Sequence, residues 1–204
     1  MLALLGVIVL LSVANLISIA LGADDKGTRY LLLALESNPS TWFSAMQLGL
    51  AAALAFAVGH GRADAHNWGI VAALLAFLSL DEVATIHERL GGLPVLPGIG
   101  SRTWAGAGLV LVALVAWRLL PWTLRLEPPL RFALLAGGAL FVAGAVGFEV
   151  LAGDWRVGHG EDAMYWALTT AEEDLELVGV FVVVRLLLAH LRAAAAPIIL
   201  AVGR

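Results

Sequence analysis

Six stretches of roughly 20 mostly apolar residues constrain this chain most, because a helix of that length crosses the hydrocarbon core of a bilayer. They lie near 2–22, 40–60, 67–90, 103–120, 131–152 and 163–188. The 204 residues are 61% hydrophobic and only 14% charged, whereas a soluble domain carries about 25% charged residues. The sequence therefore predicts an all-α polytopic transmembrane bundle of six helices, in a single transmembrane domain over 1–204.

The first apolar stretch is interpreted as a membrane helix rather than as a signal peptide. Neither lysine nor arginine precedes it. It is also about 20 residues long, which exceeds the roughly 7–15 residues of a signal-peptide core.

The arginines predict how the chain is oriented. With six helices both termini lie on one side, which holds Arg62, Arg118, Arg125, Arg131, Arg185, Arg192 and Arg204. The other side holds Lys26, Arg29, Arg89, Arg102 and Arg156. This bias favours cytoplasmic termini. Because the chain is rich in alanine, glycine and arginine, with little lysine, we expect a bacterial protein of the inner membrane.

Two acidic runs interrupt the apolar stretches. "SLDEVATIHERL" (79–90) ends the third predicted helix, and "ALTTAEEDLELVGVFVVV" (167–184) lies within the sixth. A charged side chain at the bilayer centre costs at least about 2.5–3.5 kcal/mol. So many carboxyl groups therefore indicate a functional site, in which protons, basic side chains or metal ions offset the charge.

Depth and helical phase predict that the two runs meet. At about 1.5 Å per residue, the acidic pairs 81–82 and 172–173 lie at one depth in the outer half of the membrane. Glu149, His87 and Glu88 lie closer to the outer face. The acids of the third helix share one arc and those of the sixth form a stripe, whereas His87 and Asp174 point elsewhere. We expect the two acidic faces to oppose each other inside the bundle.

The first interpretation is a site for one or two divalent metal ions near the outer face, with a structural or an oxidoreductase-like role. Its candidate ligands are Asp81, Glu82, His87, Glu88, Glu149, Glu172, Glu173 and Glu176. Such a set suits iron, manganese or zinc in particular, and also calcium or magnesium. It resembles carboxylate-bridged dimetal proteins in design. Their Glu-x-x-His motif is missing, because Ala84 stands three residues before His87.

Other interpretations stay open. The carboxyl groups could form the pathway of a cation or proton transporter, which a 3+3 inverted repeat would support, since the acidic runs of the two halves align loosely. The chain could also be an accessory subunit of a larger membrane complex, or a homo-oligomer. Some of the acids could simply be solvated at helix ends.

Composition and missing motifs exclude several classes of function. There is no cysteine, so thiolate chemistry is excluded. The net charge of −4 gives no basic face for nucleic acid. Neither Ser-x-x-x-His nor His-x-x-x-His occurs, so a membrane hydrolase of the ceramidase-like kind has no support. Whether the protein is an enzyme stays open.

The segments "SLDEVATIHE" and "EEDLELVG" are similar to runs in uncharacterised multi-pass bacterial membrane proteins. The resemblance covers the third and sixth helices. It implies about six helices and no particular chemistry.

Overall fold

The protein is a bundle of helices in a computed structural model that describes residues 1–22, 27–91 and 102–201. The described residues form no strand. Six helical spans are long and apolar enough to cross a membrane: Leu2–Leu21, Pro39–Gly59, Ala65–Ala84, Gly106–Thr123, Pro128–His159 and Ala163–Ala194. This confirms the predicted all-α, multi-pass architecture.

In chain order, the α-helices are α1 (Leu2–Leu21), α2 (Pro39–Gly59), α3 (Ala65–Ala84), α4 (Ile86–Gly91), α5 (Arg102–Thr123), α6 (Pro128–Val142), α7 (Glu149–His159) and α8 (Ala163–Ala201). A π-helical segment, Ala143–Phe148, joins α6 to α7, so that both lie in one span. A short 3-10 turn, Arg29–Leu31, lies between α1 and α2.

Three boundaries differ from the prediction. The third spanning helix ends at Ala84 rather than near 90, where a short separate helix follows it. The fifth span continues through the π-helical segment to His159 rather than ending near 152. The last helix continues to Ala201 rather than to 188. The alanine run 193–196 favours this continuation, whereas Pro197 opposes it.

The start of α2 is fixed by one asparagine. Asn38 caps the helix, since its Oδ1 accepts a hydrogen bond of 3.0 Å from the Thr41 amide, and Pro39 occupies the first turn. The Asn38 side-chain amide also donates to the carbonyl oxygen of Leu32, at 2.6 Å. This residue therefore ties the preceding loop to the helix.

Helices α2 and α3 form an antiparallel hairpin with extensive contact. The Ser79 hydroxyl donates to the Ala45 carbonyl oxygen at 2.7 Å, across the interface. At the other end of the hairpin, the fully buried Trp68 packs edge-to-face against Trp122 of α5, with ring centroids 5.2 Å apart.

Helices α6 and α8 approach closely because glycines face each other. A Cβ atom on Gly179 would lie 2.7 Å from the carbonyl oxygen of Gly137, and one on Gly144 would lie 2.6 Å from that of Glu172. Real side chains essentially never make such contacts, so the two backbones are as close as glycine permits.

Helix α1 packs on α8 through polar contacts. The Ser12 hydroxyl donates to the Asp174 carboxylate at 2.5 Å. The Asn15 side-chain amide donates to the Thr170 hydroxyl at 2.9 Å. Asp174 therefore faces α1 and lies apart from the acidic stripe, as its helical phase predicted.

Candidate functional site

Two glutamates from facing helices form the centre of the site. Glu149 is the first residue of α7, and Glu172 lies nine residues after the start of α8. Their carboxyl groups lie within electrostatic range of each other. At about 1.5 Å per residue, Glu172 is about 14 Å from the start of its helix, well inside the span.

A second group of glutamates adjoins this pair. Glu176 lies within electrostatic range of both Glu172 and Glu149, and also of Glu82 from α3. Glu173 is within range of Glu176, Glu82 and Glu36. We call Glu36, Glu82, Glu149, Glu172, Glu173 and Glu176 the acidic cluster.

A break between α3 and α4 adjoins the acidic cluster. Thr85 adopts a left-handed conformation with a φ of 52°, which is unusual for a β-branched residue. Asp81 holds this turn, because its Oδ1 accepts from the His87 amide at 2.9 Å and its Oδ2 contacts the His87 Nδ1 at 2.8 Å. The Asp81 side chain thus accepts the backbone hydrogen bond of His87 and thereby ends the regular helix.

The π-helical segment also adjoins the acidic cluster. The Glu149 amide donates to the carbonyl oxygen of Gly144, five residues earlier, as π-helical geometry requires. Gly144 itself lies against the backbone of Glu172 and the Cγ of Glu176. Segments of this kind occur often at functional sites, where they redirect a side chain. Here the segment brings Glu149 to Glu172.

Helix α2 supplies polar groups. The Ser44 hydroxyl lies beside the Glu82 carboxyl group. Three residues later, Gln47 is 2% exposed, and neither its Oε1 nor its Nε2 has a hydrogen-bond partner.

The segments that supply the acidic cluster contain neither of the permanently charged basic residues. Neither lysine nor arginine occurs in 30–61, 63–88, 132–155 or 157–184. The glutamates of the cluster also keep some accessible surface, being neither fully buried nor exposed. Carboxyl groups arranged in this way can bind protons or cations.

The structure brings together five of the eight predicted site residues: Glu82, Glu149, Glu172, Glu173 and Glu176. Asp81 is adjacent to them and bonded to His87, whose Nδ1 faces Asp81. Glu88 has a described backbone, but its side chain lies outside the described residues. Among the residues that the structure describes, no three His, Asp or Glu side chains are gathered as a metal site in their present conformations.

Sequence reasoning missed three residues of the site. Glu36 lies in the loop before α2, and Ser44 and Gln47 lie within an apolar helix. For Gln47 a signal existed, because a strongly polar residue inside a predicted membrane helix suggests a functional site by default. For Glu36 there was no such signal, because it lies in a loop and no helical periodicity predicts the direction of its side chain.

The other end of the bundle carries a separate polar network. Arg62 Nε donates to Asp64 Oδ1, and Trp122 Nε1 donates to Asp64 Oδ2, both at 2.9 Å. Partial burial acts to raise the pKa of Asp64, but these two hydrogen bonds outweigh it, so the pKa lies below its ordinary value. The network joins the loop before α3 to α5.

The loop between α7 and α8 is also closed by an aspartate. Asp162 Oδ1 accepts from the Tyr165 and Met164 amides, both at 3.0 Å, and from Trp155 Nε1 at 2.8 Å. The hydrogen bond from the Tyr165 amide, together with the others, lowers the pKa of Asp162.

Comparison with known proteins gives a family. The model of DUF8692, described as a domain of unknown function, matches residues 1–191. The chain belongs to this family. Neither the curated proteins nor the solved structures include a match. The expected resemblance to an uncharacterised family of membrane proteins is thereby confirmed, and DUF8692 membership assigns no chemistry.

Proposed function

We propose that the acidic cluster is a cation site inside the membrane, and that the protein moves protons or other cations across the bilayer through it. The proximity of the Glu149 and Glu172 carboxyl groups within the spanning segments is the observation that carries this proposal. Two ionised carboxylates at close range repel each other, and a bound proton or cation relieves that repulsion. The pair is thus suited to binding a proton or a cation within a span.

The backbone around the acidic cluster supports transport. The break at Thr85 and the π-helical segment Ala143–Phe148 both adjoin the carboxyl groups in the chain. Transporters commonly place ion sites at discontinuous helices, where irregular backbone lines a polar cavity. The inverted repeat stays a prediction, and the proposal does not need it.

The packing beneath the acidic cluster is consistent with a state closed on one side. Leu48, Val180 and Val184 are all buried in one apolar core, and on α8 this core lies C-terminal to Glu176. A transported ion would have to pass this layer. A second conformation, in which the layer parts, is therefore part of the proposal.

The test is flux into liposomes that contain the purified protein. A pH-sensitive dye inside reports proton movement under an imposed pH gradient, with and without Na⁺, Mg²⁺ or Ca²⁺ outside. Glu172→Gln keeps a hydrogen-bonding side chain but removes the ionisable group, so we expect it to abolish flux while the protein still folds. Glu161→Gln is the matched control, because Glu161 is half-exposed and lies 3.9 Å from Arg156 at the rim. Absence of flux in the unmodified protein, or undiminished flux in Glu172→Gln, would contradict the proposal.

A resident divalent metal ion is the second candidate. Glu172 and Glu176 stand one turn apart on α8, and Glu149 faces them from α7. Small side-chain rotations would be needed, because these groups are not gathered as a metal site in the described structure. Elemental analysis for iron, manganese and zinc tests this. We expect stoichiometric metal that is lost in both Glu172→Gln and Asp81→Asn, and metal retained in both variants would contradict it.

We also propose that the protein lies in a bacterial inner membrane with both termini in the cytoplasm. We further propose that it associates with other membrane subunits or with further copies of the chain. The arginine distribution supports this orientation. The chain has no cysteine, so single cysteines introduced at Glu161 and Arg62 would report their sides cleanly. An impermeant thiol reagent should label the first in intact cells and the second only after lysis. The reverse pattern would refute the orientation, and a single monomeric species extracted from native membranes would refute association.

A further inference from the structure

Gln47 is a buried amide that nothing in the described structure satisfies. Its side chain is 2% exposed, and both Oε1 and Nε2 lack a hydrogen-bond partner. A buried polar group without a partner costs about 1–3 kcal/mol. Leucine or alanine would avoid this cost, as they do at Leu48 and Ala51 of the same helix. A partner that arrives from outside the chain would offset this cost.

The position of Gln47 directs it toward the acidic cluster. Residues three apart lie on the same side of an α-helix, so Gln47 shares a face of α2 with Ser44. Side chains of a helix also lean toward its N-terminus, which tilts Gln47 toward the turn that carries Ser44. The Ser44 hydroxyl lies beside Glu82, and Glu82 is within electrostatic range of Glu173 and Glu176. Helical phase therefore places Gln47 on the face of α2 from which Ser44 approaches this group.

The candidate ligands on these helices all offer oxygen atoms. Glu82, Glu173 and Glu176 offer carboxylate oxygens, Ser44 a hydroxyl and Gln47 an amide oxygen. The one nearby imidazole, that of His87, has its Nδ1 directed at Asp81. Carboxylate, carbonyl and water ligands suit hard cations, whereas zinc and iron favour sites with imidazole or thiolate.

We propose that Gln47 is a ligand of the cation site, and that the site takes a hard cation of the Na⁺, Mg²⁺ or Ca²⁺ class. This rests on the proposed function and gives it a substrate class. The amide adds a neutral oxygen to a set of carboxylates, so it provides coordination without further negative charge. It also explains why a costly side chain is retained in the apolar part of α2.

The test measures how cations stabilise the purified full-length protein in detergent. Thermal unfolding is followed at increasing NaCl, MgCl2, CaCl2 or ZnCl2, with choline chloride as the control for ionic strength. A ligand that binds only the folded state raises the unfolding temperature in proportion to its affinity. We expect at least one of Na⁺, Mg²⁺ and Ca²⁺ to do so in the unmodified protein, and Gln47→Leu to weaken that apparent affinity at least about tenfold.

Two further variants separate ligation from packing. Leu48→Met changes the neighbouring residue of α2, which is 1% exposed, and should leave the cation response unchanged. Gln47→Glu keeps an oxygen ligand and should retain the response, which makes the test independent of whether Gln47→Leu folds. If Gln47 is merely an unsatisfied amide, Gln47→Leu should unfold at a higher temperature and respond to cations like the unmodified protein.

The outcomes also distinguish this inference from the function on which it rests. An unchanged cation response in Gln47→Leu, or stabilisation by Zn²⁺ alone, would overturn the inference. If proton flux in liposomes persists in the unmodified protein while no hard cation stabilises it, the inference fails and proton transport stands. If neither flux nor cation stabilisation is found, both fail.

Discussion

Replacing Gly144 with alanine should separate the helices that bring Glu149 and Glu172 together. A Cβ atom there would lie 2.6 Å from the Glu172 carbonyl oxygen and 2.9 Å from the Glu176 Cγ. The contact with the Glu172 carbonyl oxygen involves the backbone, which cannot move aside by a side-chain rotation. Restoring an ordinary contact of 3.4 Å therefore requires a shift of about 0.8 Å between α8 and the π-helical segment.

The expected cost follows from overpacking in a closely packed interface. Insertion of a methyl group at such a site costs about 1–3 kcal/mol. For a chain of this size, each kcal/mol corresponds to about 2–4 °C in Tm, so a fall of at least about 2 °C is expected. The same shift should move the Glu149 and Glu172 carboxyl groups apart, so proton flux should fall with stability.

Gly138→Ala is the matched control. Gly138 lies on α6, where a Cβ atom would meet nothing within 4 Å. Alanine favours the helix by about 1 kcal/mol relative to glycine, so this variant should be equally or more stable. Thermal unfolding of both variants in one detergent gives the comparison. Equal stability of Gly144→Ala and Gly138→Ala would refute the close approach of the π-helical segment to α8.

Three further perturbations test other parts of the fold. Asn38→Ala removes the cap of α2 and its hydrogen bond to the preceding loop. It should therefore lower the free energy of unfolding by about 1–2 kcal/mol in denaturant titration. An unchanged free energy of unfolding would contradict the capping role of Asn38. Thr85→Gly relieves a left-handed β-branched residue, so the variant should be no less stable on heating, and marked destabilisation would disprove strain at the helix break. The folded-state pKa of Asp64 is lowered, so its contribution is present above its unfolded pKa and is lost as pH falls through the folded pKa. On acidification, the Tm of Asp64→Asn should therefore fall by less than the Tm of the unmodified protein. An equal fall of Tm in the two proteins would contradict the lowered pKa of Asp64.

The spanning helices could be predicted because apolar length alone determines them. A stretch of about 20 apolar residues has few alternatives in a bilayer, since every backbone group must be hydrogen-bonded internally. The meeting of the two acidic runs was predictable for the same reason, because regular helices convert sequence position into depth and direction. Glu82, Glu173 and Glu176 are near each other as this argument predicted.

The irregular backbone could not be predicted in this way. No glycine or proline lies between Asp81 and His87, yet the helix ends there because one side chain competes with the backbone for hydrogen bonds. The same contact directs the His87 Nδ1 toward Asp81, which depth counting could not show. Likewise, the π-helical segment depends on how closely Gly144 fits against α8, and that is a tertiary property.

The pairing of acids within each helical hairpin has a consequence for biogenesis. Glu82 lies beside Ser44 within the hairpin of α2 and α3, and Glu149 and Glu172 lie together within that of α6, α7 and α8. Each hairpin is continuous in sequence, so these polar contacts can form before the two hairpins meet. Such contacts lower the cost of placing Glu82 and Glu172 in lipid. Glu173 and Glu176 of α8 approach Glu82 only when the two hairpins associate, so that step completes the acidic cluster.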